Sequence, residues 1–180
     1  MQLETPRLLL REMTHDDYQP LYEVLADLDI MRHYPYSFDE KRVRNWITRN
    51  IERYRIFGFG LWAVCLKDTG AMIGDCGLSM QNINGVIRPE IGYHIRADQQ
   101  RRGYAREAAA AVRDWTFRNT PFREIYSYMT ADNTPSARCA VSWGCHLVEE
   151  YVDDDGPNKV FMIDRDTWAW AQAWAQQYSE

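Results

Sequence analysis

The sequence predicts one α/β domain, and three observations carry that reading. The chain has 180 residues, close to the ~150 of an ordinary domain. Apolar residues make up 46% of it and charged residues 26%, a balance that supports a packed core and excludes a disordered chain. Short apolar runs bounded by turn residues alternate with segments of helical periodicity, and no repeat, linker or low-complexity stretch separates them.

The elements follow in order. Leu8-Leu9-Leu10, between Arg7 and Arg11, reads as a strand. Thr14 followed by Asp17 is an N-cap signal, and Tyr18, Leu21, Tyr22, Leu25 and Leu28 recur behind it at helical spacing. Ser37 with Glu40 makes a second capping box, ahead of an apolar stripe of Val43, Trp46, Ile47, Ile51 and Tyr54. From Gly60 the period changes, and 61–66, 72–80 and 87–95 read as an antiparallel meander. Its turns are Asp68-Thr69-Gly70 and Asn82-Ile83-Asn84-Gly85.

A helix over 105–117 follows, with Ala108, Ala111, Val112 and Trp115 on one face. Residues 125–129 form a strand, and 135–143 a helix capped by Thr134 with Pro135 in its first turn. Two strands, 146–152 and 160–163, flank the acidic turn Asp153-Asp154-Asp155-Gly156-Pro157. In the tail, Trp170, Trp174 and Tyr178 fall at i, i+4 and i+8. They form either a helix face that closes the core or a dimer contact, so monomer and homodimer both stay open.

The formal charge is −5, which argues against a general phosphate-backbone binder and makes nucleic acid an unexpected partner. Cys65, Cys76, Cys139 and Cys145 form no C-x-x-C pair and read as reduced, packed thiols of a cytosolic protein, not as zinc ligands. No signal-peptide h-region and no run of ~18 apolar residues is present. A cytoplasmic protein with no membrane partner and no metal is expected.

Chemistry concentrates in residues 88–106. Arg88-Pro89-Glu90-Ile91-Gly92-Tyr93-His94-Ile95 is a strand with an interior glycine, a mark of a bulge or of something approaching the backbone. Gln100-Arg101-Arg102-Gly103-Tyr104-Ala105 then leads directly into the alanine-rich helix. A loop entering a helix presents unpaired N–H groups and the positive end of the helix dipole. Gly103 and Ala105 let an anion near the main chain, and Arg96, Arg101, Arg102 and Arg106 surround the place with positive charge. This is a pyrophosphate-type site, or else a solvated basic surface. Rival phosphate motifs fail: there is no G-x-x-x-x-G-K-[ST], and Gly58-Phe59-Gly60-Leu61-Trp62-Ala63 follows a helix and enters a strand, the reverse of a dinucleotide turn.

Gln100-Arg101-Arg102-Gly103-Tyr104-Ala105 resembles the Q/R-x-x-G-x-G/A signature of the GCN5-related N-acetyltransferase (GNAT) superfamily, and Glu107-Ala108 and Glu90-Ile91-Gly92-Tyr93 are also typical of it. The opening Glu4-Thr5-Pro6-Arg7-Leu8-Leu9-Leu10-Arg11 and the later Asn133-Thr134-Pro135-Ser136 resemble its ribosomal-protein N-terminal acetyltransferase-like branch. The similarity spans roughly residues 3 to 165. It implies a single GNAT domain over 1–180, with a mixed, mostly antiparallel central sheet of six to seven strands flanked by helices.

For function, the resemblance implies acetyl transfer from acetyl-CoA to a primary amine by direct attack. The pyrophosphate is expected on Gln100, Arg101, Arg102, Gly103, Tyr104, Ala105 and Arg106, and the pantetheine arm along the backbone of Tyr93, His94, Ile95 and Arg96. An N–H near 93–95 is expected to polarise the thioester carbonyl. Glu90 is the expected base through a water, or else a surface carboxylate paired with an arginine. Family members often carry a tyrosine in the next helix as the acid, but here the residues are Arg138-Cys139-Ala140-Val141. Ser136 is the remaining hydroxyl, as acid or as helix cap, and Asn133 is expected to bond the pantetheine.

Cys139 reads as packing, with no histidine near it in sequence. Arg32, His33 and Tyr34 are expected to wall the acceptor pocket, and the acidic hairpin near Asp153 to favour a cationic acceptor such as a peptide N-terminus, polyamine or aminoglycoside. The missing tyrosine leaves one alternative of another class, a catalytically silent acyl-CoA-binding sensor.

Overall fold

The computed structural model describes residues 2–177. Its strands are β1 (Gln2–Glu4), β2 (Leu8–Arg11), β3 (Leu61–Leu66), β4 (Met72–Ile83), β5 (Val86–Ile95), β6 (Glu124–Thr130), β7 (His146–Asp153) and β8 (Gly156–Asp164). The helices are α1 (Tyr18–Leu25), α2 (Glu40–Phe57), α3 (Tyr104–Asn119), α4 (Thr134–Ser142) and α5 (Arg165–Gln177). The strands hydrogen-bond in the order β1-β2-β3-β4-β5-β6-β8-β7. The recorded registers are antiparallel apart from β5 with β6, which are parallel at Glu90 opposite Tyr126. This is the expected mixed α/β class, with eight strands in place of six to seven. β1, which pairs Leu3 with Leu10, is three residues long and too short to leave a periodic signal.

Chain contacts divide the molecule into two compact units, Met1–Ser79 with Ile91–Val112, and Met80–Glu90 with Arg113–Glu180. In the first, β3 is buried from Leu61 to Cys65 because both its faces are covered. Successive side chains alternate across a strand. Leu61, Ala63 and Cys65 therefore join Leu21, Val24, Leu25, Val43 and Ile47 of α1 and α2 in one cluster, and Trp62 and Val64 are buried on the opposite face. Each such aliphatic side chain contributes about 2 kcal/mol by leaving water.

Helix ends explain two departures from the expected boundaries. Asp39, not Ser37, caps α2: its carboxylate accepts the Arg42 N–H at 2.8 Å. Asn133, not Thr134, caps α4, accepting the Ser136 N–H at 3.2 Å. In both cases an Asp or Asn oxygen one or two positions away meets the open N–H groups. The Thr14–Asp17 signal holds, with the Thr14 N–H donating to Asp17 at 2.8 Å. It introduces a short 3-10 turn (His15–Asp17) ahead of α1. α1 ends at Leu25, so Leu28 lies beyond it and is exposed.

One close approach decides the geometry used below. A Cβ on Gly74 of β4 would sit 1.9 Å from the His94 carbonyl oxygen of β5, so only glycine lets the two backbones come this near. Beside it the Arg96 N–H donates to the Ile73 carbonyl at 2.8 Å.

In the second unit β6, β8 and β7 pair from Glu124 opposite Asp164 to Asp153 opposite Gly156. The α5 side chain that docks is Trp168: its indole N–H donates to Asp114 at 2.8 Å and its ring centroid lies 5.3 Å from Phe117. Arg165 ties the helix start to the carbonyls of Thr120 and Phe122, both at 2.7 Å, and to that of Phe117. Trp170 and Trp174 point away from this contact, are 66% and 52% exposed, and lie 5.6 Å apart. The face expected to close the core is thus the outer one; Tyr178 lies outside the described residues. On α3 the buried residues are Ala108, Ala109, Val112, Thr116 and Phe117, with Ala111 and Trp115 only half-buried.

These contacts set two expected outcomes. Trp168→Ala lowers the unfolding free energy by about 2 kcal/mol, and Trp170→Ala changes it by less than about 0.5 kcal/mol, both read by urea denaturation. The second concerns acid. Burial raises the Asp17 pKa, but hydrogen bonds from Arg11 and Thr14 outweigh it and hold the carboxyl below its ordinary 3.8. A depressed folded value means the stabilisation is complete above the unfolded pKa and is lost as pH falls through the folded one. Denaturation midpoints measured below about pH 4 therefore fall less steeply in Asp17→Asn than in the wild type.

Candidate active site

The basic loop is held by residues from the start of the chain. Glu107, in the first turn of α3, takes the Thr5 hydroxyl at 2.6 Å, the Arg7 N–H at 2.9 Å and the Arg7 Nε–H at 2.6 Å. The same Arg7 donates to the Arg102 carbonyl at 2.9 Å and lies over the Tyr104 ring at 4.5 Å. Burial raises the Glu107 pKa, but the bonds from Thr5 and Arg7 outweigh it, so the carboxyl is held below its ordinary range. From the other side, Gln100 closes the loop by donating to the Ile95 carbonyl at 2.9 Å.

The main chain turns through left-handed conformations at Arg101 (φ +60) and Gly103 (φ +82) before α3 begins. Only glycine takes the second without strain. Arg101, Arg102 and Arg106 are exposed around it, and Arg96 is engaged by Asp98 at 2.7 Å. Tyr104 and Ala105 are half-buried. Exposed guanidinium groups, a helix N-terminus and a glycine turn on a fixed frame suit a polyanion.

A second arrangement in the same unit joins residues expected only separately. His94 Nδ1 lies 2.7 Å from Asp75 Oδ1, and His94 Nε2 lies 2.9 Å from the Tyr34 hydroxyl. Trp46 donates its indole N–H to Asp75 Oδ2 at 2.8 Å. Asp75 has no solvent exposure and His94 is 8% exposed. Tyr34 is half-buried, with its ring 5.7 Å from Phe38 and 6.1 Å from Tyr36. The neighbouring Arg32 and His33 side chains pair with each other at 3.1 Å. Sequence reading placed Tyr34 in a pocket wall and used His94 for its backbone; it missed Asp75 and Trp46. The available signal was an aspartate inside the run Met72-Ile73-Gly74-Asp75-Cys76-Gly77-Leu78, whose other members are apolar or glycine, since a buried charge is seldom there without a partner.

Of the other backbone expected to meet a ligand, Tyr93 is half-buried and Ile95 buried. The Arg96 N–H is already given to Ile73 and the Ile95 carbonyl already accepts from Gln100.

In the second unit Glu90 is 8% exposed, which sets aside its reading as a surface carboxylate. The neighbouring Arg88 pairs with Glu149 at 2.8 Å and lies over the Tyr126 ring at 4.9 Å. Burial, then a hydrogen bond to Glu124, pushes the Tyr126 pKa up to about 12. Asn133 uses its Oδ1 to cap α4, so Ser136 gives its backbone N–H to the cap and its side chain is not the cap. Cys139 is half-buried, and burial pushes the Cys145 thiol up.

Comparison with known proteins identifies the family. The family model described as an acetyltransferase (GNAT) domain matches residues 7–146. The chain is 33% identical over 145 residues to the Bacillus subtilis protein YkkB, covering 80% of this chain and 84% of that one. An acetyltransferase structure from Agrobacterium tumefaciens superposes with a TM-score of 0.79 at 26% identity, over 91% of this chain and 94% of that one. RimL, described as a ribosomal L7/L12 alpha-N-protein acetyltransferase in complex with coenzyme A, superposes with a TM-score of 0.76 at 18% identity, over 93% and 99%. The glycine-turned basic loop at the head of α3, the mixed sheet and these matches converge: the chain belongs to the GNAT family and is an acyltransferase.

Proposed function

We propose that the protein transfers the acetyl group of acetyl-CoA to a primary amine, either a peptide or protein N-terminus or a small-molecule amine, by direct attack on the thioester. The observation that carries this is the Gln100–Arg106 loop, whose arginines are exposed and whose course is fixed through Glu107, Thr5 and Arg7. An anchored loop binds a pyrophosphate with little further ordering cost.

The donor's pantetheine arm follows the end of β5 at Tyr93, His94 and Ile95, where a main-chain N–H polarises the carbonyl oxygen as negative charge develops on it. Asn133 retains its amide N–H groups for the arm, because the cap uses only its oxygen. Glu90 acts as base through a water, and its burial keeps competing solvent away. Ser136 is the hydroxyl that protonates the leaving thiolate. The RimL likeness favours a peptide α-amine among the acceptors, and the acidic turn at Asp154 and Asp155 suits any cationic one.

Thermal unfolding tests the donor site. Acetyl-CoA at about 100 times its dissociation constant stabilises the wild type by about 2.7 kcal/mol, while the Arg101→Glu/Gly103→Asp variant shows no shift. An equal shift in both proteins would show that this loop does not hold the donor. Glu107→Gln, which loosens the frame and leaves the loop's own residues in place, weakens acetyl-CoA binding about tenfold in calorimetric titration. Release of free thiol with Ser- and Ala-initiated peptides, spermidine and kanamycin tests the acceptor. Glu90→Gln lowers kcat/KM on the accepted amine about 100-fold, and turnover by the wild type excludes a silent acyl-CoA sensor.

A further inference from the structure

An ammonium acceptor sheds two protons on its way to an amide: one before its lone pair can attack, and one from the nitrogen once the N–C bond has formed. Glu90 accounts for the first in the reading above. The second needs a group that can take a proton without contact with bulk water, and none of the residues assigned so far does this.

We propose that Tyr34, backed by His94 and Asp75, orients the acceptor amine and takes this second proton. Trp46 sets the direction of these bonds, because its indole can only donate. Its bond at 2.8 Å therefore makes Asp75 Oδ2 an acceptor and leaves Oδ1 facing His94 Nδ1 at 2.7 Å. A carboxylate opposite Nδ1 selects the Nδ1–H tautomer and makes Nε2 the basic nitrogen. The Tyr34 hydroxyl, 2.9 Å from Nε2, is then the donor in that bond, and its oxygen presents lone pairs to an N–H donor.

The three groups lie in series from no solvent exposure at Asp75, through 8% at His94, to the half-buried Tyr34. A path with a buried carboxylate at one end and the hydroxyl of a half-buried tyrosine at the other is built for moving a proton inward. A structural tie between β4, β5 and the segment before α2 needs no histidine, since a neutral hydrogen bond would hold it.

The transfer balances. As the new N–C bond forms, the nitrogen proton passes to the Tyr34 oxygen while the tyrosine's own proton passes to His94 Nε2. The C–S electron pair leaves with the thiolate, and the resulting imidazolium is neutralised by Asp75 until the proton returns to solvent by the reverse route. Among the described residues, the titratable groups recorded against the path include Asp75 on β4, Tyr34 ahead of α2, and Tyr54 on α2. Tyr54 feels the Asp75 charge and donates to the Leu61 carbonyl. Burial first, with Asp75 adding to it, pushes the Tyr54 pKa up, so this hydroxyl stays neutral and does not compete for the proton. Tyr34 touches the acceptor in this scheme, and His94 and Asp75 act through it as positioning residues.

This inference rests on the acetyl-transfer reading, and one experiment separates the two. Tyr34→Phe and His94→Gln are assayed by thiol release with the Ser- and Ala-initiated peptides, spermidine and kanamycin, alongside acetyl-CoA thermal shifts. The relay requires kcat to fall about 100-fold in both variants, with the acetyl-CoA shift kept. It also requires the rate of Tyr34→Phe to rise with added imidazole buffer at constant pH, a response that a packing role does not produce. Rates within threefold of wild type in both variants, or a fall that imidazole does not relieve, overturn the relay and leave the transfer reading standing. Loss of the acetyl-CoA shift in both variants assigns the cluster a structural role and also overturns it. A wild type inert toward all of these amines overturns the transfer reading, and the relay with it.

Discussion

Asp75 has no contact with solvent, and much of the first unit is arranged to make that tolerable. An acidic group left alone inside a protein is costly, so its neighbours must supply donors with good geometry. Trp46 and His94 do so from two different elements, which pins α2 and β5 to β4 at Asp75. The arrangement also depends on the backbones. Because Gly74 has no Cβ, the His94 carbonyl can lie against β4 immediately beside Asp75. A side chain there would push the strands apart and pull the imidazole out of reach of the carboxylate.

The loop ahead of α3 separates side chains left exposed from side chains that hold it in place. Arg101, Arg102 and Arg106 are exposed, whereas Arg7, distant in sequence, is spent on holding the loop. Glu107 links the two roles: it is an acidic residue in the first turn of a helix, where it complements the dipole, and every recorded bond it accepts comes from Thr5 or Arg7. A chain with a net charge of −5 can thus keep a local cationic site, because the acidic residues nearest the arginines are already committed. Asp98 is held by Arg96 in the same way, well below the ordinary carboxyl range at about 2.

Most of the strands and helices were legible in the sequence, since their signals are local. The 61–66, 72–83 and 86–95 strands carry the alternation and turn chemistry of a meander, and the Asn84–Gly85 turn sits where the pattern predicts, with Asn84 at φ +49. What failed was finer. Spacing points to Ser37 and Thr134 as caps, yet Asp39 and Asn133 present an oxygen at the correct distance from the open N–H. The Trp170 and Trp174 stripe has perfect helical spacing and faces outward, because periodicity finds a face without saying what lies opposite it. Trp168, off that stripe, meets Phe117 and Asp114 and is the residue that docks α5.

By itself the sequence determined the alternation of strands and helices and the position of the basic loop. It also pointed to the family, because Gln100-Arg101-Arg102-Gly103-Tyr104-Ala105, Glu90-Ile91-Gly92-Tyr93, the Glu4–Arg11 opening and Asn133-Thr134-Pro135-Ser136 are contiguous runs whose order can be read without any tertiary contact. Only the tertiary structure decided that Tyr34, His94, Asp75 and Trp46 form one hydrogen-bonded chain, and that Arg7 and Thr5 frame a loop about a hundred residues away. The reason is the range of the interactions. Helix periods, turns and glycine loops are set within a few residues by backbone sterics. A hydrogen bond between side chains far apart in the chain exists only once sheet register and close strand packing have brought its two ends together.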